Sequence, residues 1–471
     1  MTTARSVAID VLTRSFTRDG FVTELIDSGL SRAELSPQDR RFVTQLVFGV
    51  IRRRGTLDAL LKPFIQRPLN NVEPVLMDVL RLGAFQLVFL THVPKHAAVH
   101  ETVELAAHVD RTPAKGFLNG ILRRIAEVVT SEFVDFAGPD TVPFETNIIP
   151  LSERSRLHDD FAPTTLRESY RKLTRPLLPD PTHNLPEYLA AAFSWPHWLV
   201  NRWLDQFGPQ ECFRLGFWFN SVPPLWIRVN KLKCEREEYR IVLAAKNIDV
   251  EAGLHPQSLK LIDGIPVRDL PGYADGEFAV QDHSSMFVAT AMYPQPDWRV
   301  LDLCSAPGGK TTHIAELMKN RGEIIACDIE TKRLETVTTL CQRLGVTIVQ
   351  TKLLKDDTDV PPGPFDAALV DVPCSNTGVL GRRPEVRWRL QPNEFEHLIR
   401  LQTRLLIQAL DRVKPNGVVV YSTCSIDPSE NRGVVNNVLR NMRSLNLEAD
   451  HTAIPGKPAD GGYWARLRKG R

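Results

Sequence analysis

From residue 4 to about residue 130 the apolar positions recur three and four apart, as in residues 4–12 and 42–51, the spacing of a helix with one buried face. Pro74 stands directly before the apolar run at 75–82, the place of a proline in the first turn of a helix. The pattern predicts an all-α unit over residues 1–130. Between residues 131 and 186 the periodicity fades and prolines accumulate, at 139, 143, 150, 163, 176, 179, 181 and 186. A structureless stretch of that length is unusual inside a compact domain, so it reads as an interdomain linker. Residues 187–285 open on an aromatic helical stretch containing Trp195, Trp198 and Trp203, pass into an apolar strand at 225–230, and then mix short helices with short strands. This predicts a small α+β module whose tryptophans, at helical spacing, belong to its core.

From residue 286 to residue 471 the pattern is strand, turn, helix, repeated. Residues 299–304, 322–328, 366–371 and 417–422 are short, almost continuous apolar runs. Such runs alternating with helices imply a parallel sheet covered on both faces. The expected fold is a Rossmann-like, doubly wound α/β domain, with ligands beyond the carboxyl ends of its strands. The chain is therefore expected to be multidomain.

Composition adds limits to this picture. With 471 residues, 43% hydrophobic and 24% charged, the chain is of ordinary globular make-up and is neither a disordered segment nor a stapled miniprotein. No apolar run reaches the roughly 18–20 residues that cross a bilayer, and residues 1–20 hold Arg5, Asp10, Arg14, Arg18 and Asp19 with no apolar leader core,. A soluble, cytoplasmic protein without a membrane partner is expected. The seven cysteines (212, 234, 304, 327, 341, 374 and 424) include no CxxC pair, so neither a metal site nor a disulfide framework is expected. The net charge of +2 conceals an acidic linker and a modestly basic remainder, compatible with a polyanionic partner. Arg40, Arg41, Arg52, Arg53, Arg54, Arg81, Arg123 and Arg124 of the helical region suit either solvated helix faces or contact with that partner.

The candidate chemistry lies at the strand ends. The first strand runs into Asp302-Leu303-Cys304-Ser305-Ala306-Pro307-Gly308-Gly309-Lys310-Thr311, and the second ends in Asp328. A glycine turn allows close approach of backbone to ligand, and a carboxylate after the second strand can bind ribose hydroxyls, so this predicts a nucleoside-cofactor site. It is not a phosphate-binding loop of the GxxxxGK[ST] type, because position 304 is cysteine. Asp371 and Cys374 follow the next strand, and Cys424 follows a later one. A thiolate at such a place can attack an electron-poor ring carbon. Arg382, Arg383, Arg387 and Arg389 surround Trp388, a grouping that suits phosphate contact and base stacking. Gln281-Asp282-His283-Ser284-Ser285 precedes the domain without a role of its own.

The segments Asp302 to Thr311, Asp371-Val372-Pro373-Cys374-Ser375-Asn376-Thr377-Gly378, Thr423-Cys424-Ser425 and Glu430-Asn431 together resemble the RNA 5-methylcytosine methyltransferases of the RsmB/Sun/Fmu type. The region 7–126, with Arg40-Arg41-Phe42 and the run 113–123, is similar to the NusB-type RNA-binding helical domain fused to those enzymes. The resemblance implies S-adenosyl-L-methionine as cofactor, lying along Cys304, Ser305, Ala306, Pro307, Gly308, Gly309 and Lys310. It puts Asp328 on the ribose, Arg333 near it, and Asp371 close to the methionine moiety or the target base. Cys424 is then the nucleophile that adds to C6 of cytosine. Cys374 assists release of the product, and Asp371 hydrogen-bonds N3 or N4. The implied function is methylation of cytosine C5 in 16S rRNA, with tRNA as an alternative substrate and a non-catalytic RNA-binding ribosome-assembly factor as an alternative class. The sequence departs from the family at the third strand, where Lys352 takes the place of an acidic residue near the adenine. Asp356 or Asp357 could substitute from the following turn.

Overall fold

The computed structural model describes residues 2–15, 21–136, 146–151, 168–262 and 264–470. The chain divides into two compact units, Met1–Val222 with Leu380–Arg389, and Pro223–Val379 with Leu390–Arg471.

In the first unit α1 (Ala4–Ser15), α2 (Val22–Ser31), α3 (Pro37–Leu61), α4 (Pro74–Phe89), α5 (Lys95–His108) and α6 (Lys115–Val128) follow one another, as the apolar spacing predicts. α3 begins where Ser36 accepts the Asp39 N–H at 3.1 Å, just ahead of Pro37, which satisfies one of the open donors of the first turn. Pro74 occupies the first turn of α4. α4 is buried from Leu76 to Val88 and lies so close to α3 that a Cβ at Gly49 would stand 2.0 Å from the Phe85 ring.

The expected linker is not structureless. β1 (Val129–Phe136), β2 (Ile148–Pro150) and β3 (Glu168–Leu173) form an antiparallel sheet in the order β1-β3-β2. Ile148, Ile149 and Tyr170 are buried, and Tyr170 meets Phe217 edge-on at 5.5 Å. Here prolines punctuate short strands, with Pro150 closing the three buried residues of β2, and leave no apolar run long enough to read as a strand,. Residues 137–145 and 152–167 of that expected linker lie outside the described residues. The boundary expected at residue 187 also moves. α7 (Leu185–Phe193) and α8 (His197–Asn220) belong to the first unit, where Phe193, Trp195, Trp203 and Phe217 interlock as core.

The second unit holds the two remaining sheets. β4 (Leu225–Val229), α9 (Arg236–Ala244), β5 (Val250–Ala252), β6 (Ser258–Leu261) and β7 (Phe278–Val280) make a small module with an antiparallel sheet in the order β5-β6-β4-β7. Its core holds Ile227, Tyr239, Leu243, Leu259 and Phe278. Then come α10 (His283–Met292), β8 (Arg299–Asp302), α11 (Gly309–Leu317), β9 (Glu323–Asp328), α12 (Thr331–Leu344), β10 (Val349–Leu353) and β11 (Phe365–Asp371). After α13 (Val386–Arg389), which lies in the first unit, follow α14 (Glu394–Arg412), β12 (Val413–Thr423), α15 (Arg432–Asn441), β13 (Leu445–Ala453) and β14 (Gly462–Lys469). The seven-stranded sheet has the order β10-β9-β8-β11-β12-β14-β13, parallel through β12 and antiparallel at β14 and β13. Leu406 and Val419 lie in the apolar cluster on one face, Ile314 and Val337 in that on the other. The succession of strands reverses between β8 and β11, so the loops leaving these two strands diverge and open a crevice at their carboxyl ends.

The arginine-rich segment after the Pro-Cys motif corrects an expectation. Residues 380–389 belong to the helical unit, and Arg387 is fully buried there. Its guanidinium donates to the carbonyls of Arg52, Phe193, Ser194, Phe219 and Leu380 and to Asn220 Oδ1, all at 3.2–3.4 Å. The Trp388 indole donates to Ile51 O at 3.1 Å, and Arg389 donates to Ser15 O at 3.2 Å. Arg387 and Trp388 are thus structural and not a platform for phosphate and base. The α3 arginines behave alike. Arg52 donates to Gly381 O, Arg53 donates to Pro150 O, and both are buried, while Arg81 on α4 bridges Asp58 and Asp78. A guanidinium has five donors, and these buried ones spend them on carbonyls of several segments or, for Arg81, on two carboxylates,.

Burial, followed by the neighbouring Arg52, pulls the Arg387 pKa down to about 9, so the charge itself is costly. Arg387→Met removes that cost but leaves several buried carbonyls short of a donor, at about 1–3 kcal/mol each. The second effect should win. We expect the helical unit to lose about 3 kcal/mol or more, measured by denaturant unfolding followed at its tryptophans. An unchanged midpoint would mean that the network adds nothing to stability.

Candidate active site

β8 delivers Asp302, and the chain turns through residues 303–308 before α11 starts at Gly309. Gly308 sits at φ +99°, and a Cβ there would stand 3.2 Å from the Val337 backbone, so the turn needs glycine,. Ser305 N and Oγ both donate to Cys327 O, at 2.9 and 3.1 Å, tying the turn to β9. At the end of β9 Asp328 is almost fully buried and accepts the Glu330 N–H at 3.2 Å. Arg333 reaches Asp328 at 3.4 Å with one nitrogen and Ala306 O at 3.1 Å with another, joining this carboxylate to the turn. Cys304 packs against the core, and burial pushes its thiol well up.

Beneath the turn Asp302 is fully buried. Thr311 Oγ1 donates to its Oδ2 at 2.6 Å, and its Oδ1 is buried without a hydrogen-bond partner among the described residues. Burial pushes its carboxyl up to about 7. Lys310, next in the chain, lies 2.7 Å from Asp371 Oδ2, and Ser422 donates to Asp371 Oδ1. Burial works against the Lys310 ammonium, but Asp371 more than offsets it and leaves its pKa above the usual value.

The two cysteines converge from neighbouring strands. Cys374 follows β11 and Cys424 follows β12, and their Sγ atoms are 3.1 Å apart, within hydrogen-bonding distance for sulfur. Cys424 Sγ donates to Asn376 Oδ1 at 3.2 Å. The hydrogen bond to Cys424, then burial, then the nearby negative charges push the Cys374 thiol well above its ordinary range. Glu430 pins both loops: it accepts Ser375 N at 2.8 Å, Ser425 Oγ at 2.6 Å and Gln402 Nε2 at 2.9 Å. Gly378 N donates to Cys424 O at 2.9 Å, a direct tie between the two loops.

Cys424 and Lys310 share the wall of a cavity of about 520 Å3 with His283, Ser284, Ser285 and, from the β13–β14 region, His451, Lys457 and Trp464. The cavity belongs wholly to the second unit. Its surroundings offer a thiol, an ammonium and aromatic surface, a set able to enclose a flat polar ring and attack it.

Comparisons with known proteins bear on the whole chain. Over 454 residues it is 35% identical to the probable ribosomal RNA small subunit methyltransferase B of Synechocystis sp., a match that covers 95% of this chain and 91% of that protein. The chain belongs to the small-subunit rRNA methyltransferase B family. Relatives within this methyltransferase B family include the probable enzyme of Bacillus subtilis, 32% identical over 92% of this chain and 87% of that one, and that of Klebsiella pneumoniae, 30% identical over 96% of each. The profile of the 16S rRNA methyltransferase RsmB/F family matches residues 289–459. The NusB family matches residues 2–127, and the RsmF/B-like ferredoxin-like domain matches residues 195–268. The crystal structure of PH0851 shares the fold over 100% of this chain and 99% of its own, with TM-score 0.75 and 22% identity. A methyltransferase homologue from Pyrococcus horikoshii matches 61% of this chain and 99% of its own, with TM-score 0.54 and 25% identity.

In this methyltransferase B chain, Cys304 to Gly308, Cys374 and Cys424 lie in loops at the carboxyl ends of the parallel strands, Asp328 and Asp371 are the last residues of β9 and β11, Gly309 and Lys310 open α11, and Arg333 sits in the first turn of α12. Lys352 lies within β10, opposite Cys327. Asp356 accepts from Thr358 in its own turn and Asp357 pairs with Arg404, so both carboxylates are engaged elsewhere. Glu430 had no role that its sequence position could suggest; its buried, four-donor environment supplies one. The cavity wall from β13 and β14 carried no motif at all. Among the described residues no helix is long and apolar enough to cross a membrane.

Proposed function

We propose that this chain methylates C5 of a cytosine in 16S rRNA, in the cytoplasm, with S-adenosyl-L-methionine as donor and a covalent bond between Cys424 Sγ and C6 of the ring. The observation that carries the reading is the pair of thiols 3.1 Å apart at the ends of adjacent strands, one of them on the cavity wall beside Lys310. C5 of cytosine is a weak nucleophile until a thiolate adds to C6. An ordinary thiol is mostly protonated near neutral pH, and the Lys310 ammonium on the same wall favours negative charge there,.

The residues present fit the cofactor. The Gly308 turn leaves no room for a side chain, a buried Asp302 oxygen has no hydrogen-bond partner among the described residues, and Asp328 closes the second strand. Residues 304–310 would hold it, with Asp328 on the ribose and Arg333 fixing that carboxylate. When bound, it supplies an electrophilic methyl group on a sulfonium. Cys424 adds to C6, and C5 becomes nucleophilic and takes the methyl. Asp371, held by Lys310 and Ser422, hydrogen-bonds N3 or N4 of the ring. Cys374, kept protonated by its surroundings, stands beside the Cys424 sulfur: it gives its proton to that sulfur as the bond to C6 breaks, and the Cys374 thiolate so formed takes the C5 proton, which restores both thiols.

The names of the relatives support small-subunit rRNA as the substrate. Transfer of labelled methyl to purified 16S rRNA, with bisulfite mapping of the product, tests the reading. One protected cytosine that requires the protein is expected, whereas labelled tRNA with unlabelled rRNA would redirect the substrate. Asp328→Ala should weaken cofactor binding by about 1.5–3 kcal/mol, roughly ten- to a hundredfold in Kd, because it removes charge-assisted bonds to ribose. Unchanged affinity by calorimetry would take the ribose away from Asp328.

A further inference from the structure

Arg228 has no part in the chemistry above, yet it is one of the largest fully buried side chains of the protein. It lies in β4, paired on both sides, opposite Ser258 of β6 and Ala279 of β7. Its guanidinium forks onto Glu316 of α11, with Nη2 at 2.6 Å and Nε at 3.2 Å, and Nη2 also donates to Thr312 Oγ1 at 3.1 Å. Nη1 donates to the Gly309 carbonyl at 2.7 Å and to Gln281 Oε1. Glu316 also accepts Gln257 Nε2 at 2.9 Å, and Gln257 Oε1 meets His313 Nε2 at 2.9 Å.

Gly309 is the first residue of α11, immediately after the left-handed Gly308. Arg228 therefore joins a strand held on both edges to the backbone at which the glycine turn becomes a helix. Stability alone does not call for such a pair. A buried ion pair is often matched or bettered by apolar side chains of the same volume. Apolar side chains, however, cannot hold a carbonyl in place. We propose that Arg228 is a positioning residue that fixes the Gly308–Gly309 turn for cofactor binding, with Glu316 as the counter-ion that makes its burial tolerable. The inference rests on the reading of residues 304–310 as the cofactor turn.

The test uses the full chain and calorimetric titration with S-adenosyl-L-methionine, alongside melting temperature, cofactor KM and kcat. Arg228→Met combined with Glu316→Leu removes both charges and leaves neither uncompensated. We expect Kd and KM for the cofactor to rise at least about tenfold with kcat within about threefold of wild type at saturation. Glu316→Gln keeps the bond to Gly309 O and should hold Kd within about threefold of wild type even if melting falls. A double variant with wild-type affinity overturns the proposal, as does a loss of affinity that simply follows melting temperature across the variants. If the double variant does not fold, Arg228→Lys decides: an ammonium lacks the planar fork that meets both Glu316 oxygens and Gly309 O at once,, so it should bind cofactor more weakly than Glu316→Gln, and equal affinity overturns the proposal. Failure of the wild type to bind S-adenosyl-L-methionine would instead overturn the cofactor reading, and this inference with it.

Discussion

Cys424→Ala should lose methyl transfer by roughly ten-thousandfold or more, the scale of removing a nucleophile from a group that acts as a unit. Cofactor affinity should stay within about twofold, because the sulfur serves the ring and not the donor. The substitution removes one sulfur from a loop held by other atoms: Glu430 receives Ser425, and Gly378 donates to the residue 424 carbonyl, which alanine retains. The fold should therefore persist, and a circular dichroism spectrum and melting curve check this. Transfer of label at the wild-type rate would remove the covalent step from the mechanism.

Cys374→Ala should produce the opposite failure. Cys424 keeps its place and can still add to C6, but the neighbouring thiol that assists the departure of proton and sulfur is gone. Turnover should fall about a hundredfold or more, the usual worth of a positioned acid or base. The unresolved adduct should accumulate as an RNA-linked band on a denaturing gel, and should vanish again in the double variant Cys374→Ala/Cys424→Ala. Absence of the band, under conditions where the wild type turns over, would separate Cys374 from product release. The high pKa direction of Cys374 gives the distinction between the sulfurs a physical origin: a thiol buried beside another sulfur and near Glu430 holds its proton, whereas Cys424 borders the cavity.

The candidate site was legible in the sequence where chemistry and strand ends are adjacent in the chain. Asp302, Asp328 and Asp371 end apolar runs directly and Cys424 follows one after Ser422 and Thr423, and a parallel sheet gathers the ends of such runs at one edge. Arg387 was not legible. Among Arg382, Arg383, Arg387 and Arg389 no local signal marks the buried one. Its burial depends on carbonyls such as Arg52 O and Phe193 O, supplied by residues far upstream. The strands at 129–136, 148–150 and 168–173 were hidden by the prolines between and beside them. β13 and β14 went unread because their pattern mixes surface arginines with core positions: Arg466 and Arg468 pair with Glu448 while Ala465 and Leu467 are buried. A helix- or strand-like run reports which residues are apolar; it does not report which polar residues the fold will enclose.

The ten residues Leu380–Arg389, which leave the second unit to complete the helical one, also constrain how the protein is made. A nascent chain emerges amino terminus first, and domains ordinarily close in that order. Here the helical unit cannot seal when residue 222 leaves the ribosome, because the donor for the carbonyls of Arg52, Phe193 and Phe219 is still to be translated at position 387. The helical unit can therefore complete its core only after position 387 has been translated. A fragment cut at the apparent border would be born with a dry, unfilled socket where Arg387 belongs.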